Sequence, residues 1–67
     1  MSKNKYSIIL PVLNEEENLP LITFFIFDIA KTHKLDIELI IVEDNSKDRT
    51  REVAHKLSHF FKGRIVI

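Results

Sequence analysis

Sixty-seven residues enclose only a small core, and ten Lys or Arg against ten Asp or Glu leave no net charge. That balance excludes a basic field aimed at nucleic acid or anionic lipid. The absence of Cys excludes disulfide frameworks and Cys-ligated zinc, and suits a reducing compartment. Otherwise the composition, 45% hydrophobic and 30% charged without low-complexity tracts, is ordinary for a globular protein.

The start MSKNKYSIILPV is basic, but its apolar stretch is short and lacks a small-residue cleavage pattern, so it does not read as a signal peptide. Tyr6 to Val12, YSIILPV, reads as a buried strand closed by a proline that cannot donate to a ladder. LNEEENLP follows, with Asn14 placed to cap a helix, three glutamates at its positive end and Pro20 in its first turn. The helix is expected to run to His33 or Lys34. Ile22, Phe24, Phe25, Ile26, Phe27 and Ile29 make it apolar nearly all round, the pattern of a buried helix. Two readings stay open for that surface: packing between the sheet and further protein, or contact with a membrane or partner subunit. The apolar stretch Leu19 to Ala30 carries Asp28 and falls short of the roughly 20 residues that span a bilayer.

After a turn at KLD, Ile37 to Glu43 reads as a second strand, and its successive apolar residues Leu39 to Val42 predict burial on both faces. DNSKD is a polar loop in which Asp48 caps the second helix. Val53, Ala54, Leu57, Phe60 and Phe61 share one face of that helix and are its expected core residues. Gly63, the single glycine, stands where a helix C-terminal cap belongs. RIVI opens a third strand. The order βαβαβ implies parallel strands with right-handed helical crossovers, half of a doubly wound, Rossmann-like α/β sheet. With no further helix to cover that sheet, the expectation is a piece of a larger protein.

Several motifs fail. Both strand-to-helix loops lack the glycines of a dinucleotide fingerprint or a Walker loop. DNSKDR begins like a calcium loop but has neither its glycine nor its closing glutamate. His55 and His59 have a zinc-ligand spacing, yet they point away from the apolar face with no third ligand near, and read as surface histidines. The two loops themselves remain. Ligands of open parallel sheets bind beyond the carboxyl ends of the strands, where Glu15 and Asp44 both fall. Carboxylates there accept hydrogen bonds from ribose hydroxyls or base N–H groups, or else they simply cap helices.

These loops resemble those of family 2 glycosyltransferases, in which a strand ends P-x-x-N-E and the next ends D-D-x-S-x-D-x-T. The matching residues are Pro11, Asn14 and Glu15, then Asp44, Ser46, Asp48 and Thr50. YSIILPVLNEEENLPLI is similar to the dolichyl-phosphate mannosyltransferase branch, and the likeness runs from about Tyr6 to Ile67. The resemblance implies the GT-A type of fold, with residues 1–67 as the N-terminal nucleotide-binding part of the domain. It implies that GDP-mannose is held at Pro11, Leu13, Glu15, Val42 and Asp44. Pro11 and Leu13 would flank the base or ribose, Val42 would offer backbone, and Asp44 would accept from the guanine edge. Leu13 replaces the usual Tyr of that branch, Glu43 the first Asp of the pair, and Asn45 the usual Gly. Asn tolerates a left-handed backbone, so the turn at Asn45 can be kept, and Glu43 is expected to be structural.

The resemblance also implies a divalent metal, Mg or Mn, on a D-x-D motif that does not occur in these residues. This chain is therefore expected to carry recognition and no catalytic residue. Dolichyl phosphate would be the acceptor, at the cytoplasmic face of the endoplasmic reticulum membrane, with a membrane-anchoring subunit as a further partner and no nucleic acid. Alternatives of other kinds are a transferase using UDP-glucose or another nucleotide sugar, and a non-catalytic α/β binding module.

Overall fold

The computed structural model describes residues 5–67; the first four residues of the basic start lie outside the described residues. Five elements follow in order: β1 (Lys5–Val12), α1 (Asn18–Thr32), β2 (Asp36–Glu43), α2 (Thr50–Phe60) and β3 (Ile65–Val66). The strands form one parallel sheet in the order β1-β2-β3. Parallel pairing forces each connection to cross over the sheet, and each crossover is made by a helix. The βαβαβ arrangement expected from the sequence is the one observed.

Both helices pack against β2 and against each other, so they cover the same face of the sheet. Ile37, Leu39 and Ile41 of β2 point into that layer and are buried with Leu19, Phe27 and Ala30 of α1 and Ala54 and Leu57 of α2. The opposite face is open. Ile9 is 66% exposed and Val42 47% exposed there, with Val66 alongside Ile40 in register. Burial of β2 on both faces, expected from its unbroken apolar run, therefore does not occur within the described residues. β1 departs from its expected burial for a related reason. It is an edge strand with one face covered, and only Val12 is buried, with Ile8 and Leu10 half-buried. Pro11 sits inside the strand rather than ending it, which an edge tolerates because one side needs no ladder partner.

α1 buries Leu19, Thr23, Phe27 and Ala30 and leaves Leu21, Phe24 and Phe25 exposed. Its apolar outer surface is therefore uncovered here. On α2, Ala54 and Leu57 are core as expected, and Val53 and Phe61 pack against the core half-buried. Phe60 is not a core residue: it is 70% exposed. It is the last residue of the helix and lies in an aromatic group with Phe24 at 5.3 Å and Phe61 at 5.0 Å between ring centroids. Phe61 in turn stacks on Phe27 at 4.4 Å, linking the two helices. The C-cap of α2 is Phe61, so Gly63 stands two residues beyond the cap rather than at it as expected; it takes φ +76° in the turn that leads into β3, a left-handed conformation that glycine adopts without strain.

Candidate functional site

At the carboxyl ends of the strands, Pro11 of β1 faces Val42 of β2 in register, and Val12 faces Glu43. Alternation along a strand sends these two pairs to opposite faces. Pro11 and Val42 lie on the open face, whereas Val12 and the Glu43 side chain turn toward the helices. The chain then leaves the sheet at Leu13 and at Asp44. Leu13 is 59% exposed, and Asp44 is exposed with no hydrogen bond from its carboxylate to another described residue.

The remaining polar residues of the loops bond across to one another. The Asn14 N–H donates to Ser46 Oγ at 3.1 Å, and the Lys47 N–H donates back to Asn14 Oδ1 at 2.7 Å. The Glu15 N–H donates to Thr50 Oγ1 at 2.8 Å, and the Glu16 N–H to Asp48 Oδ2 at 3.2 Å. Thr50 is fully buried and its hydroxyl donates to Asp48 Oδ1, which also accepts from the Thr50 N–H at 2.9 Å. Five backbone N–H groups that would otherwise lack partners at the two helix entrances are thereby satisfied.

Asn14 is thus not the cap of α1. It sits at φ +53°, and its amide turns toward the second loop, while the helix begins four residues later at Asn18 with no side-chain cap. The three glutamates precede the helix, and the Glu15 carbonyl accepts the Leu19 N–H at 2.8 Å. The N-cap position of α2 falls on Arg49 and not on Asp48 as expected; Asp48, one residue earlier, accepts the Thr50 N–H with one oxygen and holds the first loop with the other. Asn45, at φ +62°, keeps the left-handed turn that the sequence allowed it. Glu15 is half-buried, its carboxylate accepting from Asn18 Nδ2 at 3.1 Å.

Glu43 is structural. Its side chain is 3% exposed, with Oε2 accepting the Ser46 N–H at 2.6 Å and Oε1 accepting Arg51 Nε at 2.9 Å. These partners, the Ser46 amide before Arg51, hold its carboxyl below the ordinary glutamate range. The Thr50 hydroxyl, followed by the amides of Thr50 and Glu16, does the same for Asp48. Both groups therefore bind a proton less readily in the folded protein than in the unfolded chain. Their stabilisation is complete above the unfolded carboxylate range of about 4 and is lost as pH falls through the lower folded values. In the full-length protein the denaturant midpoint is expected to decline below about pH 5. The Glu43→Gln, Asp48→Asn double variant should start lower at pH 7 and show a shallower acid decline. An acid slope unchanged in that variant would assign the linkage to other groups.

Among the described residues no group of three or more His, Cys, Asp or Glu stands close enough to hold a metal ion. Two concavities among the described residues lie toward the amino ends of the strands, around Lys31, Lys34 and Asp36 and beneath Ile26 and Ile29. The loops instead form an open shelf beside Pro11 and Val42. Of the five residues expected to hold the nucleotide, Pro11, Leu13, Val42 and Asp44 are exposed at the strand ends, whereas Glu15 is half-buried with its carboxylate on Asn18; the role of Asn14, Ser46 and Thr50 in joining the loops was missed. The repeated Asn, Ser, Asp and Thr of the two loops, residue types that bond backbone groups, were the available signal.

The model of the family described as Glycosyl transferase family 2 matches residues 7–67. An undecaprenyl-phosphate 4-deoxy-4-formamido-L-arabinose transferase of Photorhabdus laumondii is 39% identical over 49 residues, 73% of this chain and 15% of that protein. A transferase of the same description from Proteus mirabilis is 30% identical over 63 residues, 94% of this chain and 19% of the relative. A prophage bactoprenol glucosyl transferase homolog of Escherichia coli is 30% identical over 54 residues, 81% of this chain and 18% of the relative. The chain spans less than a fifth of the length of each of these relatives.

Proposed function

The chain belongs to glycosyl transferase family 2, and from that premise we propose that it forms the nucleotide-recognising part of an enzyme that transfers a sugar to a polyprenyl phosphate. One observation carries the assignment of parts. The loop residues Asn14, Ser46, Asp48 and Thr50 are engaged with each other, which leaves Asp44, Leu13, Pro11 and Val42 exposed together at the strand ends. An unpaired carboxylate beside a small apolar shelf suits a base or ribose: the apolar groups take the flat faces, and Asp44 accepts from N–H or O–H edges. Glu15, whose carboxylate accepts from Asn18, is the second acceptor of the proposal. The acceptor class is supported by the relatives, whose names join a sugar to undecaprenyl phosphate or bactoprenol.

In the sharper form of the proposal the donor is GDP-mannose and the acceptor dolichyl phosphate, supported by the string NEEENLPLI after the first strand. Guanine presents N1–H and an amino group side by side, which one carboxylate can accept together. In the transfer, an acceptor phosphate oxygen bonds to the anomeric carbon as the bond from that carbon to the nucleoside diphosphate breaks, and GDP leaves. A divalent metal, Mg or Mn, would neutralise the departing diphosphate. The described residues offer it no ligand cluster, so this chain's part is to bind and orient the nucleoside. A polyprenyl phosphate resides in a bilayer, which puts the whole enzyme at a membrane face, the endoplasmic reticulum for a dolichyl carrier. Among the described residues no helix is long and apolar enough to cross a membrane. A second reading pairs undecaprenyl phosphate with a UDP-sugar donor such as UDP-glucose; the relatives' names support its acceptor, and none of them specifies mannose.

The test offers radiolabelled GDP-mannose or UDP-glucose to the full-length protein with each of the two carrier phosphates. Lipid-extractable label from GDP-mannose is expected. Label from UDP-glucose alone selects the second reading, and no label from either donor removes both sharper forms. The 67-residue chain by itself is expected to give no product above a protein-free control, because it lacks the D-x-D carboxylates.

A further inference from the structure

We infer that Asn14 is a positioning residue for nucleotide recognition: it locks the loop after β1 to the loop after β2, so that the apolar shelf and the Asp44 carboxylate meet the nucleoside as one rigid surface. The inference rests on the nucleotide reading of the shelf. Its physical basis is the double demand that the structure makes at this position. The backbone is left-handed, φ +53°, a conformation that crowds Cβ against the following carbonyl oxygen and so favours Gly, Asn or Asp. The side chain must also supply an acceptor to the Lys47 N–H, at 2.7 Å, which Gly cannot do. Asn and Asp alone among the common left-handed residues meet both demands.

Besides the two Asn14 bonds, three hydrogen bonds tie the loops among the described residues, and all of them run through Glu15 or Glu16. The Asn14 N–H reaches Ser46 Oγ, and Ser46 is fixed in turn by Glu43, so the Asn14 bonds close a ring through Ser46 and Lys47. Lys47 lies three residues after Asp44, and Leu13 directly precedes Asn14. The bonds of Glu15 and Glu16 to Thr50 and Asp48 secure the helix-proximal side of the loops. The Asn14 pair secures the side nearest the exposed shelf residues. Losing it would let Leu13 and Asp44 move independently, and binding would then have to order both loops. Asn14 need not touch the nucleotide for this, since its Oδ1 already accepts the Lys47 N–H across the loops.

Three variants of the full-length protein separate backbone, acceptor and contact. Asn14→Gly keeps the left-handed backbone and removes the acceptor, whereas Asn14→Asp keeps both. Asn14→Ala removes the acceptor and adds backbone strain. The readouts are calorimetric titration with GDP and with UDP, and amide hydrogen exchange at Lys47, with protection of Ala54 and Leu57 in α2 reporting an intact fold. Asn14→Gly is expected to deprotect Lys47 and weaken nucleotide binding about tenfold, the upper range for one net hydrogen bond. Asn14→Asp is expected to restore Lys47 protection and bring affinity within about threefold of wild type; Asn14→Ala should lose at least as much as Asn14→Gly.

Wild-type affinity in Asn14→Gly overturns the inference, whether or not Lys47 is deprotected, and leaves the nucleotide reading standing. Lys47 protection restored in Asn14→Asp with affinity still lost would make the amide a direct ligand contact, which also overturns it. Failure of the wild-type protein to bind either nucleotide removes the nucleotide reading itself and the inference with it.

Discussion

Asp44→Asn in the full-length protein is expected to weaken GDP binding about 30- to 1,000-fold, the loss of a charge-assisted hydrogen bond together with a stranded donor on the base. The substitution keeps the shape of the side chain. It replaces one accepting oxygen with an N–H group, which would aim a donor at a guanine donor. Asp44 is the informative position because it is exposed and its carboxylate has no described partner. Removing its charge should therefore leave the loop structure alone. Glu43→Gln provides the contrast. Glu43 is buried against the Ser46 amide and Arg51, so its loss should reduce stability more than affinity, with binding weakened by about tenfold or less. Calorimetric titration of GDP into both variants, with thermal unfolding recorded alongside, distinguishes these outcomes. Equal affinity for wild type and Asp44→Asn would remove Asp44 from the nucleotide site. A larger affinity loss for Glu43→Gln than for Asp44→Asn, with folding intact, would exchange their roles.

Leu39→Ala should cost about 2–5 kcal/mol, because the side chain is wholly buried in the central strand beneath both helices. Leu57→Ala on α2, 6% exposed, falls in the same range. Phe60→Ala is expected to cost at most about 1.5 kcal/mol, since it removes aromatic edge contacts with Phe24 and Phe61 at a largely exposed position. Chemical denaturation of the full-length protein measures all three. A loss for Phe60→Ala as large as for Leu57→Ala would mean that further protein covers the outer aromatic group. A negligible loss for Leu39→Ala would contradict the placement of the core between β2 and the helices.

Element order and type were legible because local patterns settle them. A 3.6-residue apolar repeat marked α2, an unbroken β-branched run marked β2, and Gly63 marked the exit from α2. Burial was less legible, because periodicity reports which face of an element is apolar and not whether anything covers it. Phe60 belongs to the apolar repeat of α2 yet lies against Phe24 and Phe61 at the surface rather than in the core, and Ile40 and Val42 supply apolar residues to a face on which no described residue packs.

The sequence by itself determined the parallel α/β frame, the two loops at the carboxyl ends of the strands, and their likeness to family 2 glycosyltransferases. These follow from spacing, residue type and the chirality of crossover connections, all of which are local or nearly so. Only the tertiary structure decided which loop residues are free. Asn14 and Asp48 looked like helix caps, and Ser46 and Thr50 looked like motif positions without a stated role. Each bonds across 32 to 35 residues of chain, and Asp48 does so while also accepting the nearby Thr50 N–H. A side-chain acceptor in sequence shows that a backbone N–H can be satisfied but not which one, since short-range and long-range partners satisfy it equally well. Parallel pairing brings the two strand ends side by side, and that proximity makes the long-range partners the available ones. It leaves Asp44 as the exposed carboxylate beside the Pro11–Val42 shelf.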